Sequence, residues 1–213
     1  MSRATSIIFD LDGTLYSSRE LAAEINRVAA EGLALQLGVE PESAKRLLSG
    51  AKAALQERTG FEGTLSAACL ELCCDIRQLH GYLAEQVSPE KYLVRDDRVV
   101  KMLERFRRDY RLYLYTNNNR SLADRIIRSI GVAGLFSEIF TIEDFWRGKP
   151  DRLALAKIFA AIGAEPIECI FVGDRYDVDL RLPEEHGCKV WHATTIEELL
   201  ALEEFCRKGE END

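Results

Sequence analysis

No apolar run in these 213 residues approaches the roughly 20 needed to cross a bilayer. At the N-terminus only Ile7-Ile8-Phe9 is apolar before Asp10 interrupts, which is too short for a secretory signal. Six cysteines are present but none in C-x-x-C spacing. Cys69 and Cys73 stand one helical turn apart with only His80 as a nearby further donor, so buried thiols in a reducing cytoplasm are expected rather than a metal site. Positive charge is also in deficit: 28 Lys and Arg against 36 Asp and Glu, a net −8. That balance excludes non-specific binding to nucleic acid or to an anionic membrane surface. It leaves room for a small phosphorylated ligand, because a local cation or a metal overrides the global sign. Repeats and low-complexity segments are missing as well. What remains is a cytoplasmic globular protein, expected as a monomer or weak homodimer, with one large domain or a medium domain carrying an insert.

Five short apolar segments read as buried parallel strands: 6–9, 112–115, 139–142, 169–172 and 189–192. Helical stripes separate the later ones. Val99, Leu103 and Phe106 form one, and Leu122, Ile126 and Ile130 the next. Leu155, Ile158, Phe159 and Ile162 form a third, with Pro150 expected at its first turn. Alternating strand and helix predicts an α/β fold with a doubly wound, mostly parallel, Rossmann-like sheet. Residues 16–89 break the rhythm. Leu21, Ile25 and Val28 repeat at helical spacing up to Gly38-Val39-Glu40-Pro41, and further helices are expected over 43–58 and 65–72. An all-helical block after the first strand reads as a cap domain over the carboxyl ends of the sheet, with 1–15 and 90–213 as the core. Ligands of open α/β sheets bind at those ends. The acidic tail, 209–213, is expected to fray.

The chemistry gathers at strand ends. Asp10-Leu11-Asp12-Gly13-Thr14 leaves the first strand with two carboxylates in one turn, and a carboxylate can accept a phosphoryl group. Thr116-Asn117-Asn118 ends the second strand with donors suited to phosphate oxygens. Asn118 or Asn119 is also placed to cap the next helix. Gly148-Lys149-Pro150 sets a lysine at a helix entrance, where it can neutralise phosphate. Gly173-Asp174 follows the fourth strand, with Asp177 and Asp179 behind it. Three carboxylates so close repel one another unless a cation compensates, and hard oxygen ligands suit Mg²⁺. Asp177 is alternatively a cap for the following helix.

In this order the four segments resemble the motifs of the haloacid dehalogenase superfamily over nearly the whole chain. The resemblance implies Asp10 as nucleophile, and Asp12 as the acid/base that protonates the leaving oxygen and then activates water. It implies Thr116 as the phosphate-binding hydroxyl, Lys149 as the cation steadying nucleophile and phosphate, and Asp174 as a metal ligand. Asp179 fits as the second acidic residue of the last motif, with Asp177 a weaker claimant. Mg²⁺ held by Asp10, Asp174 and the main-chain carbonyl of Asp12 is implied, with backbone amides near Gly13 and Asn117 completing the phosphate site.

Within the superfamily, dehalogenase members lack the second aspartate, so Asp12 points to phosphoryl transfer. Glu57-Arg58-Thr59-Gly60 and Leu79-His80-Gly81-Tyr82 look like caps of pyrimidine 5′-nucleotidase-type members, whereas Gly173-Asp174-Arg175 looks like phosphoglycolate-phosphatase-type members. A Mg²⁺-dependent phosphatase of a small metabolite, such as a nucleoside monophosphate or phosphoglycolate, is therefore expected. The alternatives are a phosphomutase of the β-phosphoglucomutase type and a non-catalytic binder of a phosphorylated ligand. Arg19, Lys45 and Arg58 are the helical-block cations that could meet a leaving group.

Overall fold

The computed structural model describes residues 4–61 and 63–211, with side chains described through residue 207. Strand β1 (Ser6–Phe9) leads into four helices, α1 (Arg19–Leu37), α2 (Pro41–Thr59), α3 (Leu65–Glu71) and α4 (Ile76–Gln86). The chain then alternates: α5 (Asp97–Phe106), β2 (Arg111–Tyr115), α6 (Arg120–Ser129), β3 (Glu138–Phe140), α7 (Ile142–Phe145), α8 (Arg152–Ile162) and β4 (Cys169–Gly173). It closes with α9 (Arg181–Glu185), β5 (Lys189–His192), α10 (Ile196–Leu200) and α11 (Leu202–Glu211).

The strands form one parallel sheet in the order β3-β2-β1-β4-β5. Side chains alternate between its faces, and the central strands β1 and β4 are buried on both, as expected of a parallel sheet covered on both sides, whereas β5, expected to be buried, is half-buried at the sheet edge with His192 exposed. Ile7, Phe9, Leu112, Leu114, Ile170 and Val172 join the core formed with α5 and α6. Ile8, Tyr113, Tyr115 and Phe171 join Leu155, Ile158 and Ile162 of α8. The strand order reverses between β1 and β4. The crevice outside their carboxyl ends is thus the topological switch point, where this class of sheet binds ligands.

Several local expectations are corrected. The third strand ends at Phe140, because the Thr141 N–H and hydroxyl both donate to Asp144, at 2.6 and 2.9 Å, and Ile142 opens α7. Pro150 lies outside α8. Asp151 caps that helix by accepting from the Ala154 N–H at 2.8 Å, so its first residue is Arg152. Residues 209–211 are helical in α11 rather than frayed, while 212 and 213 lie outside the described residues. Helix α4 was not expected. It is too short for a long stripe, but Ile76, Leu79 and Leu83 are buried and Asp75 caps it through Arg77 N at 2.8 Å.

Helix α6 grips α4. Asn119 Nδ2 donates to the His80 carbonyl at 3.0 Å, and Arg125 donates to the Val87 carbonyl at 2.7 Å while pairing with Glu90 through two bonds of 2.7 Å. The His80 ring is buried, and burial pushes its pKa down to about 4. A histidine held neutral by the fold contributes stability that is complete above its unfolded value of 6.5. That stability is lost as pH falls from there towards 4, because the unfolded chain binds the proton first. The wild type should therefore lose about 3 kcal/mol more than His80→Asn between pH 7 and pH 4. Denaturant titrations at the two pH values measure that difference, and parallel losses would show that His80 ionises freely.

Candidate active site

Strand β1 continues its ladder one residue further, with the Asp10 N–H donating to the Val172 carbonyl at 2.8 Å. This fixes Asp10 at the switch point, 5% exposed. Lys149 reaches it from the loop before α8 and is equally buried. Its ammonium donates to Asp10 Oδ1 and to the Tyr115 carbonyl at 3.0 Å, and it pairs with Asp179 Oδ1 at 2.6 Å. Thr14 Oγ1 donates to the other Asp10 oxygen at 3.3 Å. Burial first, then Asp179 and Asp12, push Asp10 up to about 7 against the pull of Lys149. Burial pushes Lys149 down, but Asp10 and Asp179 outweigh it, and the lysine stays charged.

Asp12 is held at both oxygens. The Tyr16 hydroxyl donates to Oδ1, Asn118 Nδ2 to Oδ2 at 2.6 Å, and Thr116 Oγ1 to Oδ2 at 3.5 Å. Burial raises its pKa, partly offset by the Tyr16 bond and by Arg175. Thr116 is completely buried, and its hydroxyl also accepts from the Asn118 N–H at 3.1 Å. Asn119 caps α6 by accepting from Leu122 N at 2.8 Å, which leaves Asn118 to Asp12. Asn117 Oδ1 accepts from the Lys149 N–H at 2.8 Å, while its Nδ2 is buried without a partner. That atom is a free donor beside the lysine loop.

Beyond β4 the chain makes a π-helical turn over Tyr176–Leu180. It turns Asp179 inward to Lys149 and leaves Asp177 outside, 3.8 Å from Arg181. Asp177 caps nothing, and no side chain caps that turn. Ligand atoms of Asp10, Asp174 and Asp179 lie within 4.8 Å of one another. The side chain of Asp12 is not in that group, being committed to Tyr16 and Asn118.

Charge shows what this cluster lacks. Asp10, Asp12, Asp174 and Asp179 face two cations, Lys149 and the half-buried Arg175, which stands 4.0 Å from Asp174 and 3.9 Å from Asp179. Asp174 Oδ1 is buried with no hydrogen-bond partner, and burial followed by Asp179 raises the Asp174 pKa. An orphaned carboxylate oxygen among hard oxygen donors, with two positive charges missing, fits a divalent cation.

Gly13 completes the cradle, though not through its amide. Its N–H donates to the Tyr16 carbonyl at 3.0 Å and is not free for a phosphate. At φ +85° it brings bare backbone against Asp174, and a Cβ there would lie 2.3 Å from Asp174 Oδ2. Gly13→Ala should cost about 1–3 kcal/mol in backbone strain and displace Asp174. Denaturation midpoints and calorimetric Mg²⁺ titration check the two effects.

Asp12 and Asp174 open onto a cavity of about 360 Å³. Asp12, Gly13, Asn117 and Asp174 line it from the core; Arg19, Asn26, Ser66 and His80 line it from the helical insertion. Two expected insertion cations are elsewhere: Arg58 pairs with Glu71 at 2.8 Å, and Lys45 stands 4.0 Å from Glu42 on α2. Tyr16, Arg175, Ser66 and His80 had no expected role. The one local clue was Tyr16, four residues after Asp12 in the same turn.

A family model described as haloacid dehalogenase-like hydrolase matches residues 5–187, which is most of the chain. The chain belongs to the haloacid dehalogenase-like hydrolases. Within the family it is 27% identical over 177 residues to pyrophosphatase PpaX of Bacillus velezensis, spanning 82% of this chain and 76% of that protein. Its fold is similar to that of a putative phosphoglycolate phosphatase from Lactobacillus plantarum, with TM-score 0.57 and 19% identity over 89% of this chain and 86% of the other. A 2-haloacid dehalogenase from Pseudomonas syringae is as near in shape, with TM-score 0.56 and 20% identity over 88% and 85%. Shape therefore does not separate phosphatase from dehalogenase, and the side chains must. Among the described residues no helix is long and apolar enough to cross a membrane.

Proposed function

We propose that this hydrolase is a Mg²⁺-dependent phosphatase of a small phosphorylated metabolite, with residues 16–89 acting as a cap. The observation that carries this reading is Asp12: a second carboxylate, its pKa raised by burial, lines the cavity beside the buried Asp10–Lys149 pair. A nucleophile alone serves a dehalogenase. A proton donor next to it serves an ester oxygen that must leave as an alcohol.

In this reading Asp10 attacks phosphorus, the bond to the ester oxygen breaks, and Asp12 gives its proton to that oxygen. Water then attacks the phosphorus of the aspartyl-phosphate and loses a proton to Asp12. The bond to Asp10 breaks, so that inorganic phosphate leaves and both carboxylates are restored. Lys149 and the free Asn117 amide stabilise the phosphoryl oxygens as charge develops on them. Asp10 and Asp174 would hold Mg²⁺, which neutralises charge so that a phosphate dianion can approach a carboxylate. Asp179 fixes Lys149, and Tyr16 with Asn118 fixes Asp12.

The test is phosphate release across a panel of metabolites, with Mg²⁺ and with chelator. Release is expected with Mg²⁺ and only background with chelator. Isomerisation of a sugar phosphate with no net release would replace this reading with a mutase.

A further inference from the structure

The wall that the helical insertion gives to the cavity is nearly neutral. Among the described residues its one cation is Arg19, which is exposed, and the insertion lines the cavity with no acid. The phenol of Tyr16 is tied to Asp12, and no Trp or Phe lines the cavity. Aromatic surface for stacking a nucleobase is limited to the buried Tyr16 and His80, and about 360 Å³ is near the lower limit for a ligand site.

Two buried side chains on this wall are joined to each other and incompletely bonded. Ser66 Oγ lies 3.2 Å from His80 Nε2. Ser66 is 2% exposed and His80 3%, and His80 Nδ1 has no partner. Thr64 is already engaged, its hydroxyl capping α3 through Ala67 N at 3.3 Å. The pair stands close to the phosphate end: a Cβ on Gly148, next to Lys149, would lie 3.2 Å from Ser66 Cβ and 3.6 Å from Asn117 Oδ1.

The tautomer question selects the ligand. If Ser66 donates to Nε2, Nδ1 carries the proton and needs an acceptor. If Nε2 donates to Ser66, Nδ1 is bare and needs a donor. A carboxylate or phosphate answers only the first case and an ammonium only the second. A hydroxyl answers both. Burial also keeps the ring neutral, which removes any preference for an anion.

We propose that Ser66 and His80 form the leaving-group subsite and bind a hydroxyl of the substrate, so that the substrate is a small polyol or sugar phosphate. This rests on the phosphatase reading and narrows it. Glycerol 3-phosphate and n-propyl phosphate share a three-carbon ester and differ only in hydroxyls, so their ratio of kcat/KM isolates the subsite. The wild type should prefer glycerol 3-phosphate by about tenfold or more, and Ser66→Ala and His80→Leu should bring the ratio towards one. No preference in the wild type, an unchanged ratio in a folded variant, or AMP preferred over both would overturn the proposal. Should neither variant fold, the wild-type ratios decide it.

The phosphatase reading fails separately, if the wild type releases phosphate from none of these esters nor from 4-nitrophenyl phosphate in Mg²⁺. In that event calorimetric titration of the two three-carbon esters into Asp10→Asn decides the subsite. A tenfold tighter Kd for glycerol 3-phosphate supports it, and equal Kd values overturn it.

Discussion

Asp10→Asn should reduce phosphate release from an aryl phosphate in Mg²⁺ by on the order of 10⁴-fold or more, the scale seen when a covalent nucleophile is removed. The amide keeps the shape of the carboxylate but cannot form the aspartyl-phosphate. The loss should not come from unfolding. A carboxyl whose folded pKa is raised from 3.8 to about 7 contributes stability that is full below 3.8 and is lost as pH rises from there to 7, so at neutral pH its charge is a burden on the metal-free fold. A neutral isostere removes the burden. Stopped assays and the thermal midpoint of the variant check the two halves of the argument. Undiminished turnover would remove Asp10 from the role of nucleophile.

The second large effect is on stability. Lys149 is the buried cation shared by Asp10 and Asp179, both about as buried as itself. Lys149→Ala leaves two carboxylates facing each other in a dry site, with Arg175 3.9 Å from Asp179 as partial relief. Removing one partner of a buried ion pair costs about 3–5 kcal/mol, which for a chain of this size lowers Tm by roughly 10 °C. The pH dependence gives the sign. With the lysine gone, the Asp10 pKa rises further, so the variant should regain stability as pH falls through 7 and beyond. Lys149→Met combined with Asp179→Asn should recover part of the loss at neutral pH. An unchanged denaturation midpoint in Lys149→Ala would mean that water reaches the pair.

The central strands were legible because Ile7–Phe9, Leu112–Tyr115 and Cys169–Val172 are short apolar runs, a pattern a parallel sheet buried on both faces imposes. Boundaries were less so. Asp144, accepting from the Thr141 N–H, and Asp151, accepting from the Ala154 N–H, each mark where one element ends and the next begins, and several residues in each loop could have done the same. Helix α4 carries a weak sequence pattern because its eleven residues include only three buried apolar positions besides His80. The choice between Asp177 and Asp179 could not be read either, since a π-helical turn changes which of them faces inward.

The order of Asp10, Asp12, Thr116, Lys149 and Asp174 along the chain was enough to identify the family, because all but Lys149, which stands before α8, follow a buried strand, and parallel strands place their carboxyl ends together. Tertiary structure alone decided which atoms meet. It set Lys149 between two carboxylates and Asp12 between Tyr16 and Asn118, and it joined Ser66 to His80 across fourteen residues. Apart from the Asp12–Tyr16 bond within one turn, no local pattern encodes them, because the bonding partners are chosen by packing between segments rather than by spacing along one.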